Sequence, residues 1–277
     1  MNSKNDNKIF AVMLIAIASL TALCLILALT LAILSLALRD DNKTPRETDG
    51  EQTTETVDQP TSTTPGEVLL KESADAGEGY IGQMIFIGES TTAHLSSRDG
   101  LYITPEQVWK DSSGTKRLSS RITSEKIIYK KTGESLTVAE ACALEQPKYV
   151  VLSFGLNGIM DFINNKNSYV NNYGKLIGAI QAASPDTRII LQTVYPVSNA
   201  DDFSVDVATL NAHIDTLNSW LPEIAAAHKN VRVADTASVL RNVDGQLGSA
   251  YDVGDGIHLN ANAYLDVLAY LRTHAWQ

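Results

Sequence analysis

From residue 80 onward, short apolar runs alternate with longer stretches in which apolar positions recur every three or four residues. The runs at 84–87, 149–153, 188–192 and 231–234 have the length and continuity of buried strands. Leu176, Ile177 and Ile180 mark one amphipathic helix, closed by the turn Ser184-Pro185-Asp186. Leu210, Ile214, Leu217, Leu221 and Ile224 mark a longer one, and a last helix over 260–273 carries Tyr264, Leu265, Leu268 and Leu271 on one face. Thr137 and Glu140 form a capping box opening a helix over 138–144. A weaker run at 106–109 predicts a further strand, and 126–134 reads as an inserted β-hairpin turning at Gly133. Strands alternating with helices imply a mostly parallel sheet with helices on both faces, an α/β/α sandwich. In such sheets ligands bind beyond the carboxyl ends of the strands.

The pattern before residue 80 is of another kind. Residues 9–38 form one apolar run without a charge, broken only by Ser19, Thr21, Thr30 and Ser35. A bilayer core needs about 20 apolar residues of helix, so this run predicts a transmembrane signal anchor after a cytoplasmic head, residues 1–8. It is too long for the apolar region of an ordinary cleaved signal peptide, although Ser35-Leu36-Ala37 would pass as a cleavage site. Lys4 and Lys8 precede the span while Arg39, Lys43 and Arg46 follow it, so basic residues alone do not orient it. A short head and a long hydrophilic body favour the C-terminal part outside the cell. Residues 39–79 are rich in Thr, Ser, Glu, Asp and Pro and predict a disordered linker.

Composition changes this picture little. The 277 residues suit one domain plus appendages, and the formal charge is −10. Eleven acids against four bases fall within 39–79, so the acidity belongs to the linker rather than to a substrate site. No basic patch supports nucleic-acid binding. Cys24 lies in the apolar span, which leaves Cys142 alone in the folded part, without a disulfide partner there and most simply a small buried helix residue.

Three separated segments carry chemistry. Gly88-Glu89-Ser90 follows the first strand, Gly155-Leu156-Asn157 follows the second, and Asp255-Gly256-Ile257-His258 lies near the C-terminus. Singly, each has an ordinary reading: Ser90 as a helix N-cap, Gly155-x-Asn157 as a turn, and Asp255-x-x-His258 as a surface loop or half a metal site. Together they supply a serine nucleophile, a histidine base, a carboxylate to orient it and an amide donor for an oxyanion. No Gly follows two residues after Ser90, so this is not the nucleophile elbow of α/β-hydrolases.

At these residues the chain resembles the GDSL/SGNH hydrolases, a family of esterases and lipases, over about 80–277. The resemblance implies a flavodoxin-like sheet and an esterase in which Ser90 attacks, His258 takes the proton and Asp255 orients His258. Its oxyanion hole would use the Ser90 N–H, the Asn157 side-chain amide and the N–H of a glycine in the second block. Gly114 fits that third place best, with Gly133 as runner-up. Glu89 and Gly158 stand where the family usually has Asp, departures that bear on the loops around the pocket. No cofactor is implied. His94 either lines the pocket or, more simply, caps the first helix; His213, His228 and His274 suggest no shared site, and no metal-ligand spacing is present. The reading is a membrane-anchored extracellular esterase acting on acyl or acetyl esters of envelope glycans or lipids. An O-acyltransferase with the same triad, or a non-catalytic binding domain of the same fold, are the alternatives.

Overall fold

The structure, a computed structural model, describes residues 67–277 apart from Thr115. The predicted head, the transmembrane segment at 9–38 and most of the linker lie outside these residues. Among the described residues no helix is long and apolar enough to cross a membrane.

A short helix, α1 (Glu78–Ile81), leads into β1 (Met84–Gly88), every residue of which is buried. Then follow α2 (Ser90–Ala93), the hairpin β2 (Lys126–Tyr129) and β3 (Glu134–Thr137), and α3 (Val138–Glu145). Next come β4 (Tyr149–Ser153), α4 (Ile159–Phe162), α5 (Lys166–Ala183) and β5 (Arg188–Gln192), then α6 (Val207–Ala226), β6 (Val231–Ala234) and α7 (Ala261–Thr273). The main sheet has the order β1-β4-β5-β6 and is parallel throughout. Alternation along the strands divides the core. Ile85 and Ile87 pack with α3, α5 and α6 on one face, while Met84 and Phe86 pack with α1 and α7 on the other. These are the three predicted layers.

Local sequence explains most boundaries. Thr137 and Glu140 make the capping box of α3, and Asn165, Asp206 and Asn260 cap α5, α6 and α7 through their side chains. Cys142 is fully buried in α3, where burial pushes its thiol up to about 12. Leu265 differs from expectation: it faces outward at 39% exposure, and Val267 takes the inner place.

Two elements depart from the sequence reading. The strand expected at 106–109 is mostly a 3₁₀ turn, Pro105–Gln107, capped reciprocally by Thr104 and Gln107. Pro105 lacks the N–H a ladder would use, so pairing contracts to a single parallel bridge between Val108 and Phe86. That bridge lies beside β1, on the edge opposite β4. The chain therefore turns to one side of β1 and then to the other, and the gap between β1 and β4 is the topological switch point.

The folded part also begins earlier than residue 80. Val68 and Leu70 are 2% and 5% exposed, and the segment pairs with the free edge of β6. The Leu70 N–H donates to the Val233 carbonyl at 2.8 Å, and the Val233 N–H to that of Val68 at 2.9 Å. Ser73 and Ala76 continue along the end of α7, with Asp75 paired to Arg272. The acidic, Ser-rich composition conceals two apolar anchors that cover an edge strand. A chain beginning at residue 80 is accordingly expected to be less stable than one beginning at residue 67, by about 3 kcal/mol or more from re-exposing those side chains. Denaturant unfolding of the two measures it; equal midpoints and slopes would dismiss a stabilising role for this edge pairing.

Candidate active site

The carboxyl ends of β1 and β4 bring the first two segments side by side. Ser90 is the first residue of α2, and Glu89 rather than Ser90 is the N-cap. Asn157 follows β4 in a loop closed by Gly158, whose φ of 107° starts α4. The third segment reaches them from the turn before α7. His258 Nε2 lies 3.0 Å from Ser90 Oγ, and His258 Nδ1 lies 2.7 Å from Asp255 Oδ2. This fits the tautomer in which Nδ1–H donates to Asp255 and Nε2 accepts from the Ser90 hydroxyl.

Asp255 is itself held. Its other oxygen accepts the N–H groups of Ile257 at 2.9 Å and His258 at 2.7 Å. Burial pushes its carboxyl up, but the His258 backbone and ring bonds and the Ile257 bond outweigh that and hold it down at about 2. Asp255 thus stays ionised at any ordinary working pH. Gly256 turns at a φ of 76°, where a Cβ would fall 2.3 Å from that of Asn199. Only glycine allows the turn to pass so close to the loop after β5, to which the Gly256 carbonyl is tied by the Ser198 N–H.

Long-range staples align Ser90 with His258. The Arg98 Nε–H donates to the Leu259 carbonyl at 3.0 Å, and the Tyr264 hydroxyl to the carbonyl of Thr91. His94 packs beside His258, their ring centroids 4.8 Å apart at 44°. It occupies the C-cap position of α2. Burial, then the neighbouring His258, Arg98 and Lys110, push its imidazole pKa down, and its buried Nδ1 has no partner among the described residues. His94 therefore stays neutral more readily than a free histidine.

The β4 loop is clamped from two sides. The hydroxyls of Tyr169 and Tyr173 donate to the Phe154 carbonyl at 3.0 and 3.1 Å. From the other side the Glu89 carboxylate accepts the N–H of Gly155 and of Asn157, each at 3.0 Å. Gly155, at a φ of 149°, leaves no room for a Cβ, which would sit 2.8 Å from Val194 Cγ2. Leu156, Val194, Val197 and Ile257 line a small cleft that also touches Glu89 and Thr91, the neighbours of Ser90 in the chain.

Of the expected oxyanion donors, the Ser90 N–H and the Asn157 side-chain amide have no hydrogen-bond partner among the described residues. Gly114 is placed beside α2, its ideal Cβ 3.6 Å from that of Ala93. Its N–H, however, donates to Asp111 Oδ1 at 2.7 Å. Burial pushes the Asp111 carboxyl up, but bonds from Ser113 and Gly114 outweigh it and hold it below its ordinary value, so this acceptor persists at neutral pH. Gly133, the runner-up, lies in the hairpin turn, its N–H donating to Tyr129. Among the described residues no group of His, Cys, Asp and Glu is arranged to hold a metal ion.

Glu89, expected to bear on the loops around the pocket, does so from a buried position that the sequence reading did not foresee. It is 4% exposed, and among the described residues no cation pairs with it. Burial pushes its carboxyl up to about 7, against the backbone bonds from Gly155, Asn157 and Leu156 and the charge of Arg117. The available signal was a glutamate directly after an all-apolar strand, where no solvent could reach it. Between its ordinary 4.5 and about 7 the folded chain keeps a proton that the unfolded chain has lost. Stability from this group therefore falls as pH rises through that window, by roughly 3 kcal/mol. Denaturant unfolding of wild type and Glu89→Gln at about pH 5 and about pH 8 is expected to show the variant gaining relative to wild type at the higher pH. A constant difference would contradict it.

The GDSL-like lipase/acylhydrolase family model matches residues 86–265. No curated protein matches the chain. Among solved structures, a candidate platelet activating factor from Streptococcus pneumonia is 20% identical at a TM-score of 0.49, over 75% of this chain and 94% of that one. A carbohydrate esterase family 3 protein from Talaromyces cellulolyticus is 14% identical at 0.45, over 68% and 93%. An acetylxylan esterase from Geobacillus stearothermophilus is 17% identical at 0.39, over 76% and 98%.

Proposed function

We propose that in this chain, which belongs to the GDSL-like lipase/acylhydrolase family and is an ester-bond hydrolase, the reaction is carried by Ser90, His258 and Asp255. The observation behind this is the line of contacts from Ser90 Oγ to His258 Nε2 at 3.0 Å and from His258 Nδ1 to Asp255 at 2.7 Å, joining residues 168 positions apart. In this reading Ser90 Oγ attacks the ester carbonyl carbon while its proton passes to His258 Nε2. The Ser90 N–H and the Asn157 amide stabilise the tetrahedral oxyanion, and Asp255 stabilises the imidazolium. His258 then protonates the departing alcohol, leaving an acyl-Ser90 ester. Water, deprotonated by His258, attacks that ester and releases the acid. Gly114 would add a third donor once its N–H left Asp111.

The substrates are acyl or acetyl esters, with envelope glycans or lipids proposed from the predicted tether, in which residues 9–38 anchor the chain and the catalytic part lies outside the cell. A panel of p-nitrophenyl esters and acetylated glycans, scored for both acid release and acyl transfer, tests the chemistry alongside labelling by a serine-directed phosphonate. Label mapping to Ser90 supports the reading, and a folded, unlabelled, inactive protein refutes it. Transfer exceeding release would favour the acyltransferase alternative. For the location, protease treatment of intact cells is expected to digest the C-terminal part; protection until lysis would reverse the topology.

A further inference from the structure

We propose that Glu89 is a positioning residue that holds the two sides of the oxyanion site at a set separation, acting on Asn157 through the backbone it grips. The inference rests on the roles proposed above for Ser90 and Asn157. Its basis is connectivity. At one end Glu89 is covalently joined to Ser90, whose N–H is one donor. At the other its carboxylate accepts the N–H of Asn157 itself and of Gly155, both at 3.0 Å. The side chain of Glu89 therefore spans the switch point between β1 and β4 beyond the end of the ladder at Gly88 and Ser153, whose last backbone bond runs from the Glu89 N–H to the Ser153 carbonyl at 3.3 Å.

The rest of the loop is fixed by other means, which isolates what Glu89 does. Tyr169 and Tyr173 hold Phe154 through its carbonyl, and Gly158 begins α4. Between those anchors, the backbone N–H groups of Gly155 and Asn157 depend on Glu89. A buried carboxylate is a costly way to satisfy backbone donors, because desolvation disfavours its charge and no cation pairs with it among the described residues. A negative acceptor does bind several N–H groups more tightly than a neutral one, which is what a preorganised donor array requires. The groups that interact electrostatically with the carboxylate are the hydroxyls of Tyr169 and Tyr173, both held on the Phe154 carbonyl, and the charge of Arg117. Protonation would put an O–H where only N–H donors point, loosening the grip.

The test is a double-mutant cycle in the full chain, with p-nitrophenyl acetate as the probe. Glu89→Gln is expected to lower kcat by about 10–100-fold, the effect of weakening charge-assisted bonds, with KM changed by less than about threefold. In the Asn157→Ala background the same change should cost less than about threefold, because both act through one amide. Multiplicative losses, or a loss confined to KM, would overturn the proposal. A second measurement leaves Glu89 untouched and serves if Glu89→Gln does not fold. The ratio of wild-type to Asn157→Ala kcat should rise severalfold with pH through about 7 as Glu89 ionises, every pH dependence shared by the two proteins cancelling. A flat ratio would overturn it. Ser90→Ala in the same assay separates the two ideas: retained activity removes the nucleophile assignment, whereas an inactive Ser90→Ala with a multiplicative cycle removes only the role of Glu89.

Discussion

Ser90→Ala is expected to abolish ester hydrolysis, lowering kcat by about 10⁴-fold or more while leaving the fold and unfolding midpoint nearly unchanged. The magnitude follows from the role proposed for the hydroxyl. Without Oγ there is no covalent intermediate, and His258 Nε2, 3.0 Å away, has no proton to accept. The fold should survive because Ser90 does not cap α2 through its side chain, so its removal leaves no backbone donor newly unsatisfied. His258→Ala should be nearly as damaging, since nucleophile and base act as a unit. Asp255→Ala should be milder in rate, though it also frees the N–H groups of Ile257 and His258 and so loosens the turn. Steady-state kinetics with phosphonate labelling checks all three. Hydrolysis and full labelling by a folded Ser90→Ala chain would remove Ser90 from the mechanism.

Asn157→Ala is expected to lower kcat by about 10²–10³-fold with KM little changed, because an oxyanion donor acts mainly where charge develops. The side-chain amide has no partner among the described residues, so truncating it breaks no structural bond. Its backbone N–H remains on Glu89, which keeps the loop in place. These two facts make Asn157 a cleaner probe of transition-state stabilisation than most loop residues. A comparable loss appearing only in KM would instead place Asn157 in substrate binding.

Periodicity and local chemistry made much of the fold legible. Continuous apolar runs became β1, β4, β5 and β6, and the spacing of Leu210, Ile214, Leu217, Leu221 and Ile224 became the buried face of α6. Thr137 and Glu140 capped α3 as their spacing required. These are short-range effects, set by a residue and its neighbours within a turn or two. Ser90, Asn157, Asp255 and His258 were legible as residue types at the ends of elements. What tertiary structure alone decided is what lies between distant segments. The segment 67–79 reads as linker by composition, yet Val68 and Leu70 are buried because β6 presents an open edge. Glu89 reads as a departure bearing on the pocket loops, but only the fold shows that its carboxylate accepts the N–H of Asn157, 68 residues away. The reason is one of range: propensity and periodicity act over a few residues, whereas burial, edge pairing and the partner of a polar atom depend on which distant surface the fold brings against it.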